Sequence, residues 1–137
     1  RRKNKYMETT TGAAYSVSVE RSFVAQHYLT VPDCGRENEV HSHTYTAEVE
    51  ARGSSLDEHN YLIDIVGFEE AVEGVTERYR DETLNDAPGF EGNRSAEQFA
   101  RVFAEGVSEM IDVPGVDSVV VRMGEDDRAT VSYENRL

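Results

Sequence analysis

Three of the chain's four histidines, His27, His41 and His43, lie close together in the sequence and surround its only cysteine, Cys34. Successive side chains of a β-strand point to opposite faces, so His41 and His43 share one face if their segment is extended. His27 can supply a third imidazole. Three neutral imidazoles with an open fourth position are typical of a catalytic zinc site, whereas structural zinc sites usually have four protein ligands. We therefore predict that these histidines bind Zn²⁺, although imidazole also suits other divalent ions.

A histidine pair with one residue between its members also occurs on half-exposed strands that bind no metal. The third histidine, the nearby cysteine and two glutamates of the same stretch, Glu37 and Glu39, favour the metal site over that interpretation. A zinc protease with the H-E-x-x-H motif is excluded, because the sequence does not contain that motif.

Hydrophobic periodicity predicts the strands that must position these histidines. Apolar and polar side chains alternate from Tyr15 to about Phe23 and again from His43 to Gly53, which is typical of half-buried antiparallel strands. Residues 28–40 are rich in charged and turn-forming residues and are predicted to form a loop. The two strands therefore form a long hairpin with the histidines near its loop end.

The periodicity changes to that of a helix after this hairpin. Residues 66–80 form a predicted amphipathic helix. A second helix is predicted to begin at Ser95, where Ser95 and Gln98 match the capping-box pattern. The apolar face is predicted to consist of Val66, Ala71, Val75 and Tyr79 in the first helix, and of Phe99, Val102, Phe103, Val107 and Met110 in the second.

Two further strands, over residues 116–123 and 129–133, complete the order ββααββ. This order predicts an α+β fold, in which a four-stranded antiparallel sheet carries two helices on one face. Residues 13–137 are predicted to form a single domain, and residues 1–12 a flexible tail.

The composition limits the classes of partner. The 137 residues include 27 acidic and 14 basic side chains, and the net charge is −13. Such a charge repels nucleic acid and anionic membranes, and we expect neither as a partner. The near-absence of lysine beside abundant Asp and Glu is typical of halophilic proteins. A single cysteine excludes an intramolecular disulfide, and no apolar run is long enough to span a membrane, so we expect a cytoplasmic protein.

Several segments resemble the family of 6-pyruvoyltetrahydropterin synthase and 6-carboxytetrahydropterin synthase, and the similarity extends from Tyr15 to Tyr133. The zinc motif of that family is similar to Phe23-x-Ala25-x-His27, Cys34 and His41-x-His43-x-Tyr45. Other matching segments are Tyr61-Leu-Ile-Asp64, Leu84-Asn85-Asp86-x-Pro88, Asn93-Arg-Ser95-Ala-Glu97 and Val121-Arg-Met-Gly-Glu125.

The resemblance implies a tunnelling fold, in which subunits join their sheets into a barrel and assemble as a homohexamer of two trimers. It also implies 7,8-dihydroneopterin triphosphate as the substrate and Glu125 as the carboxylate that binds the pterin. Cys34 would move protons at the side-chain carbons. The implied activity is that of a zinc-dependent lyase, and we expect the 6-carboxytetrahydropterin synthase reaction that feeds the synthesis of 7-deazaguanines such as queuosine and archaeosine.

The sequence departs from the family pattern at two places. Arg80 and Asp81 occupy the positions of an Asp-His pair that assists the cysteine. Arginine stays protonated, and Asp81 would need a raised pKa to donate a proton near neutrality. Arg80 could instead bind the triphosphate. Cys34 also lies seven residues before His41, whereas Glu37 lies four before it, which is the spacing of the cysteine in the carboxytetrahydropterin branch.

Two alternatives to the carboxytetrahydropterin reaction follow from these departures. Glu37 could act as the base in place of the cysteine, with a 6-pyruvoyltetrahydropterin or 6-hydroxymethyl-dihydropterin product; Glu39 is a weaker candidate for that role. The chain could also be a non-catalytic homologue that keeps the zinc and pterin sites without turnover.

Overall fold

The structure is a computed structural model that describes residues 13–137, so the tail predicted over residues 1–12 lies outside the described residues. The strands are β1 (Tyr15–His27), β2 (His41–Gly53), β3 (Val116–Glu125) and β4 (Ala129–Arg136). The helices are α1 (Ile65–Tyr79) and α2 (Ala96–Met110), and short 3₁₀ turns occupy Gly35–Asn38 and Leu84–Asp86. The predicted order ββααββ is confirmed.

The four strands form one antiparallel sheet in the order β1-β2-β3-β4. The hairpin of β1 and β2 is longer than the alternation predicted, because pairing continues past Phe23 to a last pair formed by His27 and His41. The histidines therefore belong to the strands themselves rather than to the loop that joins them.

Both helices pack on one face of the sheet. The side chains of α1 that reach the core include Phe68, Ala71, Val75 and Tyr79, whereas Val66 is 60% exposed. The prediction for Val66 is wrong because a separation of five residues from Ala71 rotates it by about 140° around the helix, and Phe68 takes its place. Met110, at the end of α2, is also 46% exposed.

The first turns of both helices are capped by side chains, as expected for helices that begin in polar loops. Asp64 accepts a hydrogen bond from the Gly67 amide (3.1 Å), and Ser95 accepts one from the Gln98 amide (3.1 Å). The Gln98 side chain does not complete the predicted capping box. Its amide group instead donates to the carbonyl groups of Glu91 and Asn93 (2.9 and 2.7 Å), which ties the loop before α2 to the helix.

The face of the sheet opposite the helices is polar. Arg122 of β3 donates to Glu50 of β2 (2.9 Å) and lies 3.6 Å from Glu48, while Arg52 lies 3.3 Å from Glu50. Burial opposes ionisation of Glu50, but the arginine hydrogen bonds outweigh it and hold the pKa of that carboxyl below its usual range. This face is therefore built to lie against water or another polar surface.

No helix among residues 13–137 combines the length and the apolar character that crossing a lipid bilayer requires.

Candidate metal centre and surrounding cavity

The end of the β1–β2 hairpin brings the three histidines together. His27 and His41 are directly opposite each other, and His43 lies opposite Ala25, two residues before His27, so all three rings leave the same face of the sheet. The ring centroids are 4.6 Å apart for His27 and His41, 4.9 Å for His27 and His43, and 4.8 Å for His41 and His43. The rings thus form a nearly equilateral triangle.

Hydrogen bonds to Nδ1 orient two of the rings. The Nδ1 atom of His27 lies 2.8 Å from the carbonyl oxygen of Arg94, and that of His41 lies 2.7 Å from the carbonyl oxygen of Glu39. A carbonyl oxygen only accepts hydrogen bonds, so in both rings Nδ1 carries the hydrogen. Their Nε2 atoms are left with free lone pairs, which is the state that a metal ligand requires.

The third ring is oriented by a side chain. Nδ1 of His43 donates to Oδ2 of Asp126, whose other oxygen accepts from the Thr44 amide (2.8 Å). The Asp126 amide in turn donates to the Thr44 carbonyl (2.9 Å). The hydrogen bond from His43 and then the Thr44 amide lower the pKa of Asp126 below its ordinary value, so this carboxylate is ionised at neutral pH. Asp126 was not predicted from the sequence, where nothing distinguishes it from other loop acids.

The donor set fits a metal ion with nitrogen ligands. One ligand atom from each histidine lies within 4.8 Å of the other two. Tetrahedral zinc with Zn–N bonds of 2.0–2.1 Å needs nitrogens about 3.4 Å apart, so each ring has to move by only about 1 Å. His27 is 3% exposed, and burial lowers its pKa, which keeps the imidazole neutral. Among residues 13–137, this is the only group of three or more potential ligands found together.

The histidines line a cavity of about 590 Å³ between the hairpin loop, the start of α2 and the β3–β4 turn. Its wall combines acidic and basic side chains with the first residues of α2. The lining residues other than the histidines are Leu29, Arg36, Glu37, Asn93, Ser95, Ala96, Glu97, Glu125, Arg128, Ala129 and Val131.

Two glutamates line this cavity: Glu37 from the loop before β2 and Glu125 from the end of β3. Oε2 of Glu125 is 3.7 Å from Nε2 of His43. The negative charge of Glu37 raises the pKa of His27 slightly, against the larger lowering by burial. The loop that carries Glu37 is held in place by the Asn38 side chain, which donates to the carbonyls of Leu29 and Val31 (both 2.8 Å). Both glutamates therefore lie in the wall of the cavity that contains the histidines.

Cys34 belongs to the same loop but is not among the cavity-lining residues. It precedes the 3₁₀ turn that carries Glu37, and its amide donates to Oδ1 of Asn38 (2.9 Å). Its side chain is partly exposed.

Arg80 and Asp81 follow the end of α1 and also lie outside the cavity lining. Arg80 pairs with Glu77 (2.7 Å) and Glu73 (3.4 Å), two acids of its own helix. Asp81 has a positive φ of 62° and donates its amide to the Val24 carbonyl on the outer edge of β1 (2.7 Å). Glu37 and Glu125 thus line the cavity together with the histidines, whereas Cys34, Arg80 and Asp81 do not line it.

Comparison with known proteins gives one family. A sequence model described as 6-pyruvoyl tetrahydropterin synthase matches residues 16–136. No curated protein sequence matches the chain significantly.

Solved structures of several synthases share the fold. A 6-pyruvoyltetrahydropterin synthase from Plasmodium vivax, described as a catalytic-residue mutant with glutamate changed to alanine, is 17% identical; the match covers 90% of this chain and 98% of that one, with a TM-score of 0.74. The synthase from Caenorhabditis elegans is 21% identical, with the same coverage and a TM-score of 0.70. The Plasmodium falciparum synthase is 16% identical over 91% and 99% of the chains, with a TM-score of 0.74. At these identities the likeness shows the fold alone.

Proposed function

Because the chain belongs to the 6-pyruvoyl tetrahydropterin synthase family, we propose that it is a zinc-dependent lyase acting on 7,8-dihydroneopterin triphosphate. The observation that carries this proposal is the triangle of imidazoles in the cavity. His27 and His41 have their Nδ1 atoms bound to carbonyl oxygens, so their Nε2 lone pairs are free for a metal. With His43 they offer three ligands, and a zinc ion that they held would have a fourth position for a substrate hydroxyl.

The ion would supply Lewis-acid chemistry, polarising a hydroxyl of the substrate side chain and making its protons easier to remove. The chain's own residues must then hold the pterin and accept a proton. Glu125, beside the histidines, suits the first task, because a carboxylate can accept charge-assisted hydrogen bonds from the exocyclic amine and ring N–H of a pterin.

We assign the role of general base to Glu37 in preference to Cys34. Glu37 lines the cavity and acts electrostatically on His27, whereas Cys34 does not line it. The catalytic residue changed in the Plasmodium vivax synthase is likewise a glutamate. Glu37 would accept the proton from the substrate's side-chain carbon, and a positioned base of this kind typically contributes about 10²- to 10⁴-fold to the rate.

The triphosphate needs cationic partners, and two arginines of the cavity are available. Arg36 and Arg128 line it, while Arg80 is engaged by Glu73 and Glu77. Guanidinium groups suit phosphate because they donate parallel hydrogen bonds to its oxygens. We therefore favour Arg36 and Arg128 over Arg80 as the phosphate-binding residues.

The proposal extends to the assembly and its setting. The outer edge of β4, the part of the outer edge of β1 before Val24 and the polar open face of the sheet are compatible with joining of sheets into the barrel of a homohexamer. We propose a cytoplasmic, halophilic enzyme on the basis of the charge of −13 and the single cysteine.

The second candidate is the 6-carboxytetrahydropterin synthase reaction with Cys34 as the base. Its support is that Cys34 lies on the same short loop as Glu37. A rearrangement of this loop would have to bring the sulfur to the histidines. The third candidate is a protein that binds zinc and pterin without turnover, for which the replacement of the Asp-His pair by Arg80 and Asp81 is the argument.

One assay separates these candidates. The zinc-loaded protein is incubated with 7,8-dihydroneopterin triphosphate in concentrated KCl, the products are identified by mass, and bound metal is quantified. We expect Glu37→Gln to lower the turnover by at least about 100-fold and Cys34→Ser to leave it within a few-fold. The reverse pattern would establish the Cys34 route. Pterin binding without any product in the unmodified protein would refute the lyase proposal, and absence of metal binding would remove its centre.

A further inference from the structure

Asp126 differs from the other groups that orient the histidines. Within residues 13–137, His27 and His41 bond to backbone carbonyl oxygens, whereas His43 bonds to a side-chain carboxylate. The contact joins the β3–β4 turn to β2, across 83 positions of the sequence.

The backbone holds this carboxylate in one place. Asp126 and Asp127 are the central residues of a turn closed by the Arg128 amide and the Glu125 carbonyl (2.9 Å), and their φ angles are 53° and 58°. Turns with positive φ at both central residues favour Asn, Asp and Gly. The two hydrogen bonds between Asp126 and Thr44 then clamp the turn to β2, beside His43.

We infer that Asp126 is a positioning residue of the metal centre, one that fixes the tautomer of His43 and makes its Nε2 the strongest donor of the three. This inference rests on the proposed function, because it assumes that the histidines bind zinc. An ionised acceptor on Nδ1 pushes electron density toward Nε2 more than a neutral carbonyl does, and it adds one negative charge beside a divalent cation. The affinity of the site would therefore depend on a residue that does not touch the metal.

Asp126→Asn is the sharpest perturbation, because asparagine keeps the shape of the aspartate side chain and tolerates a positive φ. Two N–H groups, one from Thr44 and one from His43, point at the two oxygens of Asp126. An amide has only one oxygen, so either Thr44 loses its acceptor or the amide N–H₂ faces His43. In the second case Nδ1 must accept, the ring hydrogen moves to Nε2, and the ligand lone pair is lost.

The test measures Zn²⁺ affinity by competition with a chromophoric chelator at fixed pH and salt. We expect Asp126→Asn to weaken binding about 10- to 100-fold, the range typical for partners of metal-bound histidines. Asp127→Asn is the matched control: it removes the same charge from the next residue of the same turn, and its affinity should stay within about twofold of the unmodified protein. Equal affinities of the Asp126→Asn and unmodified proteins would overturn the inference.

A second measurement does not depend on the variant. Long-range ¹H–¹⁵N spectra of the metal-free, unmodified protein report which ring nitrogen of His43 carries the hydrogen. Hydrogen on Nδ1 is expected, and hydrogen on Nε2 would refute the inference even if Asp126→Asn failed to fold. Failure of the proposed function can be distinguished from failure of this inference. If the protein binds zinc but forms no pterin product, the lyase assignment is refuted. The zinc affinities of Asp126→Asn and Asp127→Asn still decide the role of Asp126 in that case.

Discussion

The buried hydroxyl of Tyr45 allows a quantitative test of the core beneath the metal centre. Tyr45 is 0% exposed, its ring packs 5.0 Å from that of Phe99 and 5.8 Å from that of His43, and its hydroxyl has no hydrogen-bond partner among the described residues. Burial, followed by the charges of Glu125 and Asp126, raises the pKa of Tyr45, so the hydroxyl stays protonated. It is a donor without an acceptor.

Replacing Tyr45 by Phe should therefore stabilise the metal-free protein. Burying an unpaired hydroxyl costs about 1–3 kcal/mol, and the substitution removes that cost. It also leaves a void the size of one oxygen, which costs roughly 1 kcal/mol. The net expectation is a gain of about 1 kcal/mol in the free energy of unfolding, or a rise of about 4 °C in Tm for a domain of this size.

The assay is urea unfolding followed by circular dichroism, in EDTA and at constant salt, with Tyr79→Phe as the matched control. Tyr79 is also buried, and burial raises the pKa of its hydroxyl, but the positive charge of Arg78 acts in the opposite direction. Its hydroxyl, unlike that of Tyr45, is not an unpaired buried group, so Tyr79→Phe should bring no gain and should lose up to about 1 kcal/mol. If Tyr45→Phe is destabilised as much as Tyr79→Phe, the Tyr45 hydroxyl has a partner and the reasoning is wrong.

Three further outcomes are expected. Zn²⁺ at about 100 times its Kd should add about 2.7 kcal/mol to the stability of the unmodified protein, and His41→Ala should abolish most of that gain in a thermal melt. Burial lowers the pKa of His27 below its ordinary 6.5, so the unfolded chain binds more protons than the folded one below that pH. The stability of the metal-free protein, measured by urea titration, should therefore fall as the pH drops below 6.5. His27→Gln should flatten this dependence. Glu50→Gln should lower the free energy of unfolding by about 1 kcal/mol near neutrality, because Arg122 loses its ion pair. This difference should vanish as the pH falls through the lowered pKa of Glu50, since protonation of the carboxyl breaks the same pair in the unmodified protein.

The element order could be predicted because strand and helix periods are local properties of the sequence. The alternation around Val49 and the helical spacing of Phe99 and Phe103 do not depend on distant residues, and all three side chains are buried where predicted. Val66 shows the limit of such reasoning. Val66 lies five residues before Ala71 and so about 140° around the helix from it, whereas Phe68, three residues before Ala71, falls on the face that packs against the sheet.

The strand ends near the histidines were harder to predict. The alternation of apolar and polar residues stops at Phe23, yet β1 stays paired with β2 up to His27. The segment after α1 supports this end of β1, because the Gln26 amide donates a hydrogen bond to the Glu82 carbonyl (2.9 Å). Sequence spacing placed His41 and His43 on one face, but the position of His27 opposite His41 depends on the hairpin register.

The sequence by itself determined which side chains were available for chemistry, namely three histidines on two strands that must pair. It also contained the segments that carry the family resemblance. Only the tertiary structure decided how those side chains are arranged. The ring tautomers depend on the carbonyl of Arg94 and on Asp126, which lie 67 and 83 positions from the histidines they contact. The place of Glu37 in the cavity wall depends on the loop that the Asn38 side chain holds. Hydrogen bonds are specified by distance and angle, and neither is encoded in spacing along the chain.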